Sequence, residues 1–303
     1  MSATRGGVGV LVAAACAVLL GSCTGAGGGT AGPTAPGPTA TAGASSGPSG
    51  AGGLPPEATY TLQGSPSPAE VRQVADRLQR RAQTMGLAAP KVEVRGAAVS
   101  LSAAGATREQ FAALAQQGHL GFRPVLALAP SVPNGAPAQG AVSADPTTTL
   151  QVPNCSDAAQ RTDRQSASGK PAVACGYAAE NGIWYGFALG PVAVDGTDVS
   201  AVKAVEDTQN GAGWQIDLTF DAVGAQAFAD VTGRLAAQPS PANQFAIVLD
   251  GAVVSHPAVA SAVPGGAAVI SGSFTEAEAR RLAALIGNRL PVPLLLTETT
   301  LPN

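Results

Sequence analysis

The side chains in this 303-residue chain that could do chemistry are few: four cysteines, two histidines and 20 carboxylates. A thiol can be acylated, oxidised to a disulfide or bound to a metal. Cys16 lies inside the apolar run Val8–Leu20, which follows Arg5, and Cys23 comes directly after Leu20-Gly21-Ser22. A basic start, an apolar stretch and small residues before a cut site describe a secretory signal. The competing readings are an uncleaved transmembrane helix and a buried free cysteine. Val8–Leu20 is short for a span, which needs about 20 apolar residues, and Gly7 and Gly9 weaken it further. In an exported chain, Cys155 and Cys175 meet an oxidising compartment. The simplest arrangement is a Cys155–Cys175 disulfide, worth roughly 3 kcal/mol by loop-closure entropy. Two free thiols is the other reading. A metal site is disfavoured, because two cysteines with no nearby histidine fall short of four ligands.

No catalytic set emerges from the remaining residues. His119 stands at a predicted strand start and His256 at a predicted hairpin end, just before Pro257. Each reads as a structural polar residue. No Gly-x-Ser-x-Gly elbow is present, and Glu206, Asp207, Asp217 and Asp221 are scattered over loop and strand. A solvated face accounts for them. The reading is a protein that is not an enzyme and takes no cofactor. Charged residues make up 12% of the chain and the net charge is −3, with no dense basic run. A nucleic-acid surface needs clustered Lys and Arg on one face, so nucleic acid is not an expected partner. Glycine (38) and proline (24) are abundant.

Residues 24–56 carry no charge and consist mostly of Gly, Ala, Pro, Thr and Ser. Such a stretch buries too little to offset its ordering entropy and predicts a flexible tether. Thr59–Leu62 is a strand candidate. Ser67-Pro68-Ala69-Glu70 is a helix start with a capping box and proline at the first helical position. Val71, Val74, Leu78 and Met85 recur on one face, and Gly86 ends the helix. Lys91–Arg95 and Ala98–Ser102 read as strands turning at Gly96. Thr107–Gln110 is a second capping box, before Phe111, Leu114 and Ala115, and His119–Leu126 is a strand. The order β-α-β-β-α-β is the ferredoxin-like pattern. Six prolines between 130 and 171 break this regularity. Further on, Trp214–Phe220 alternates as a half-buried strand, and Asp221 caps a helix whose inner face carries Ala225, Phe228, Ala229 and Leu235. Phe245–Leu249 and Ala252–Ser255 flank the Asp250-Gly251 turn of a hairpin. Ala267–Ser271, a helix capped by Thr275 and Glu278, and the strand Val292–Thr297 complete the chain.

Two resemblances join these parts. The Leu20-Gly21-Ser22-Cys23 junction resembles a bacterial lipoprotein signal. That implies acylation of Cys23, palmitate included, cleavage before it, and a mature protein held on the outer face of the cell membrane by lipid. The second is carried by Leu189-Gly190-Pro191, Leu218–Asp221, Ala246–Gly251, Ile270–Ala279 and Leu290–Leu294, with Ala82–Pro90 and Gly121–Val125 before them. In this order they resemble SecD, the accessory subunit of bacterial protein export, over about residues 68 to 299. The resemblance implies an α+β chain: a ferredoxin-like base carrying a SecD-type head, without the family's transmembrane motor. The expected organisation is signal 1–22, tether 23–56, base 57–128, an irregular insertion with the disulfide at 129–182, and head with closing helix and strand at 183–303. The insertion has no counterpart recognised in the family.

The resemblance implies a non-catalytic accessory module that binds exported polypeptides or Sec translocon components. Trp214, Phe220, Phe245 and Val253 are its candidate contacts, by edge pairing and apolar contact. The same side chains also read as core, turned inward by the alternation of their strands. A cell-envelope structural protein reusing the head fold is the alternative. An intact-mass measurement on the protein released from membranes tests the anchor. The expected mature chain starts at an acylated Cys23, and Cys23→Ala yields only unacylated protein. A chain starting at any other residue rules the anchor out.

Overall fold

In the computed structural model, residues 54–133, 141–145, 148–161, 168–179, 181–209, 211 and 213–302 are described. The predicted signal, Cys23 and nearly all of the tether lie outside them. From Pro55 onward these residues belong to one compact unit.

The chain enters the fold at β1 (Glu57–Leu62). α1 (Pro68–Thr84) begins at the predicted capping box, where the Glu70 carboxylate accepts from Ser67 N at 2.7 Å and Ser67 Oγ accepts from Glu70 N. β2 (Ala88–Arg95) and β3 (Ala98–Ala104) turn at Gly96, φ 68°. α2 (Arg108–Leu114) has the second box, Thr107 with Gln110. Then come β4 (Leu120–Pro130), β5 (Ala141–Asp145), β6 (Thr148–Gln151), β7 (Ala172–Ala178), β8 (Ile183–Leu189) and β9 (Val194–Asp195). β10 (Val199–Asp207) and β11 (Gly213–Phe220) lead to α3 (Ala222–Ala236), capped by Asp221. β12 (Phe245–Leu249) and β13 (Ala252–Ser255) flank Asp250 and Gly251, both at positive φ (48° and 85°). β14 (Ala267–Phe274), α4 (Glu276–Gly287) with its Thr275–Glu278 box, and β15 (Leu294–Thr300) end the chain.

The strand order β15-β1-β3-β2, antiparallel throughout, is the ferredoxin-like order. The fourth strand is not the predicted one. β4 leaves for another sheet, and β15 takes its place, with Leu62 opposite Leu294. The expected base of 57–128 is therefore corrected: its sheet is built from β1 to β3 and the C-terminal strand. The cause is burial. Leu120, Gly121, Phe122 and Arg123 are successive buried residues, which needs cover on both faces. β15 buries Leu294 but leaves Leu295 53% exposed, which suits a one-faced sheet.

β12, β13, β7, β8 and β4 run in that order, and an added β12–β4 pairing closes them into a ring. Val125, Ala174, Phe187, Leu189, Ala246, Val248 and Val253 form one core cluster. The alternate residues Phe245, Ile247 and Leu249 join a second, larger core with the β10-β11-β14 sheet, α3 and α4. All five β12 residues are buried, which explains its unbroken apolar run. Phe122, Phe220, Phe228 and Phe245 meet in this core with ring centroids 5.1–5.8 Å apart. Such edge and tilted pairs add about 0.5–1.5 kcal/mol each beyond area burial. The described residues of 129–182 hold more regular structure than their prolines predict. β5 pairs β6, and β7 is an inner strand of the ring.

Arg81 joins base to head. It is fully buried in the last turn of α1. Its guanidinium donates to the carbonyls of Leu114 (2.7 Å), Gln116, Gln117 (3.0 Å), Leu285 (3.5 Å) and Asn288 (2.8 Å). Leu114, Leu285 and Asn288 are at helix ends that leave carbonyls unsatisfied, and Gln116 and Gln117 follow in the loop after α2. Burial pushes the Arg81 pKa down to about 9, with Asp250 acting the other way, so the group stays cationic at neutral pH. Gly118 is required here. Its φ is +79° and a Cβ would overlap Leu285 O. Asp250, read from sequence as a turn residue only, also accepts from Gly118 N (2.9 Å) and His119 N (2.7 Å). Arg81→Met is expected to lower unfolding stability by about 3–5 kcal/mol, since it orphans several buried carbonyls. Arg80→Met, at an exposed neighbour, should stay within about 0.5 kcal/mol. Urea unfolding of the two variants checks this, and equal midpoints would remove Arg81 from its place in the fold.

Candidate polypeptide-contact surface

The four predicted contact residues do not form a surface. Phe220, Phe245 and Val253 are 5%, 4% and 6% exposed and belong to the two head cores. Trp214 is half-buried against the larger core, with the Arg280 guanidinium 5.8 Å from its ring centroid. Their strands also lack a free edge: β11 lies between β10 and β14, and β12 between β13 and β4. The assignment is corrected on both counts. The alternation that suggested binding strands is the alternation of core strands.

Exposed apolar and aromatic side chains gather instead at the β7–β8 hairpin. Tyr177 is 53% and Ile183 36% exposed, with Trp184 and Tyr185 half-buried beside them. Tyr177 stands directly opposite Trp184 in the ladder, ring centroids 5.2 Å apart. Asn181 Nδ2 donates to the Tyr185 hydroxyl at 3.3 Å, and Gly182 turns the hairpin at φ 69°. Sequence reasoning missed this surface because proline counting marked the region irregular. The cue was present in Ile183-Trp184-Tyr185, two of the chain's few aromatics set side by side.

The outer face of this hairpin carries the disulfide. Cys155 and Cys175 are bonded, Cα–Cα 5.6 Å, both buried. The bridge draws residues 152–161 across β8 at Gly186, where a Cβ would overlap Pro153 O. It also seats Arg161. The Cys155 and Ser156 carbonyls each accept from the Arg161 guanidinium at 2.7 Å, and that group lies 4.2 Å over the Trp184 ring. Cation–π contact and carbonyl acceptors thus hold one face of Trp184 covered. A cleft of ≈ 100 Å³ between Pro153, Gln160, Arg161, Cys175 and Trp184 lies under it.

The other candidate groups have structural partners. His119 stands 3.6 Å from the Asp250 carboxylate. Its pKa is lowered by burial and by Arg289, against the pull of Asp250 and Asp195. His256 Nδ1 is 3.2 Å from Gln244 Oε1, and its ring packs 5.1 Å from Phe187. Asp221 caps α3, and Asp217 accepts from Gln215. Among the described residues, no group of three His, Cys, Asp or Glu side chains is placed to hold a metal. A second cleft, lined by His119, Arg123, Asp195 and Arg289, measures ≈ 120 Å³. Drug-sized ligands occupy about 300 Å³ or more. What the geometry offers is a surface of two tilted aromatic rings beside a guanidinium.

Cys155→Ser with Cys175→Ser is expected to lower stability by roughly 3 kcal/mol. It should also free Arg161 from Trp184. Collisional quenching of tryptophan fluorescence reads this directly, with Trp214→Phe as background to isolate Trp184. Unchanged quenching in the double serine variant would show that the bridge does not seat Arg161.

Comparison with known proteins gives the fold a family context. Residues 177–292 match the family model for the SecDF P1 head subdomain. The chain is 51% identical over 114 residues to the protein translocase subunit SecD of Streptomyces coelicolor, which is 38% of this chain and 20% of that protein. It is 39% identical over 111 residues to SecDF of Thermus thermophilus, 36% of this chain and 14% of that one. The chain thus spans a fifth or less of the length of these relatives. The crystal structure of SecDF in its super-membrane-facing form superposes with a TM-score of 0.51 at 24% identity, covering 81% of this chain and 30% of that one. The match begins at Tyr177 near the end of β7 and takes in β8, and the stapled residues 152–161 precede it. This α+β chain resembles SecD and SecDF, and its residues 177–292 match the SecDF P1 head subdomain.

Proposed function

We propose that this protein is a lipid-anchored, extracytoplasmic accessory module of protein export, non-catalytic, which binds exported polypeptides or Sec translocon components. The observation that carries this reading is the match of residues 177–292 to the SecDF head, together with the β7–β8 hairpin that presents Tyr177 and Ile183 to solvent beside the half-buried Trp184. A chain crossing a membrane emerges extended, with apolar side chains uncovered. A rigid aromatic pair offers such side chains a large contact area at low entropic cost. Cys23, acylated, supplies the membrane attachment on the outer face. Among the described residues no helix is long and apolar enough to cross a membrane. The proposed contacts replace Phe220, Phe245 and Val253, whose burial removes them.

A second reading, an envelope interaction protein unrelated to export, is favoured by one feature. The Cys155-bearing segment 152–161 lies outside the family match yet shapes the same surface. Its partner would then be one that SecD relatives do not share.

A photoreactive residue at Ile183 in the processed chain, in exporting cells, is expected to capture secreted polypeptides or Sec components. The same group at Val223, 69% exposed on α3, is the surface control. Trp184→Ala should cut capture at Ile183 about 10-fold or more, the usual range for an interface aromatic. Equal capture at the two positions, with no export component enriched, would remove the export reading. Capture of one unrelated envelope protein would put the second reading in its place.

A further inference from the structure

We propose that Arg77, Arg80 and Arg289 form a basic docking face for anionic phospholipid headgroups. Arg77 and Arg80 lie three residues apart in α1, on one side of the helix. Both reach the turn after α4. The Arg77 guanidinium donates to Arg289 O, and Arg80 Nε donates to Asn288 Oδ1 at 3.1 Å. Arg289 itself is the third cation of the group. Among the described residues, neither Arg77 nor Arg80 forms an ion pair. Asp76 stands one turn before Arg80 and does not bridge to it. Arg289 has only a loose contact to Asp195, at 3.8 Å. Two guanidiniums therefore share one side of α1, and a third belongs to the residue whose carbonyl Arg77 holds, in a chain of net charge −3. Beyond burial, which comes first, Arg80 and Arg289 both push the Arg77 pKa down, the mark of like charges held together. Arg80 is exposed, and Arg77 and Arg289 are half-exposed.

Two observations choose a bilayer as the occupant. Arg80 is exposed on α1 and Arg77 half-exposed beside it, so these two cations lie on an open helix face, while Arg289 also lines the cleft with His119 and Asp195. The second is position. Gln79 Nε2 donates to Pro90 O at 2.9 Å, at the start of β2. The next residue, Lys91, lies opposite Ser102, which lies opposite Glu57. The C-terminal half of α1 thus sits at the end of the base sheet where the chain enters from residues 1–56. If Cys23 is acylated, that end is the one its tether joins. This placement rests on the anchoring reading above; the headgroup chemistry does not.

The test uses the processed chain from residue 23 with Cys23→Ser, so that no acyl chain contributes. Co-sedimentation with phosphatidylglycerol-containing vesicles should show binding that pure phosphatidylcholine vesicles do not, and that salt weakens. Arg77→Gln, Arg80→Gln and Arg289→Gln together should lower partitioning about 100-fold, and Arg80→Gln alone about 5-fold. Arg80→Lys should retain it. The single exposed variants guard against a folding defect in the triple one. Equal or absent binding to both vesicle types overturns the proposal, as does a triple variant that binds like the parent. Binding to a poly-glutamate peptide without vesicle binding also overturns it, in favour of an acidic protein partner. A mature chain that starts elsewhere than Cys23 would sink the anchoring reading but leave the vesicle result to stand by itself.

Discussion

A single buried guanidinium ties this molecule together. Arg81 comes from α1, but the five carbonyls it serves belong to the end of α2, the loop after it and the end of α4. Helix ends that stop inside a protein leave carbonyls without partners, and a buried charge needs several acceptors to be tolerable. Each problem solves the other. The head is a long excursion between α2 and β15, and its two ends must return to the same place. Leu290 N donates to Gln117 O at 3.0 Å there. Gly118 gives the close approach, and the Asp250 carboxylate fixes Gly118 and His119 from the head side. Remove the cation and the excursion has no shared seat on the base.

Beyond that seat, the head is built on strands buried from both sides. β12 contributes alternate residues to the closed ring and to the larger phenylalanine-rich core. This leaves little of the matched segment free for recognition. The outer face of the β7–β8 hairpin is covered by the disulfide-held residues 152–161, which leave Tyr177 and Ile183 exposed. The bridge has a local consequence as well as a global one: it sets Arg161 over Trp184 and so defines which aromatic surface is open.

Much of the architecture was legible in the sequence, for physical reasons that can be named. The capping boxes at Ser67, Thr107 and Thr275 are local hydrogen-bond chemistry, and all three form as read. The Asp250-Gly251 hairpin is equally local. The disulfide followed from counting thiols. The failures are non-local. Nothing near β4 says that it leaves the base, since only the distant β15 can take its place. Arg81 reads as one more basic residue on an amphipathic helix until its partners, 33 to 207 residues away, are known. The contact surface was misplaced because strand alternation reports which side chains turn together, not whether they face water or a second sheet.

The proposed function puts recognition of extended chain at the Tyr177–Tyr185 hairpin. Hydrogen exchange of the processed protein, with and without an unfolded secretory polypeptide, tests it most directly. Slowed exchange concentrated in β7, β8 and their turn is the predicted result. Protection centred on β11 or β12, with the hairpin unchanged, would contradict it.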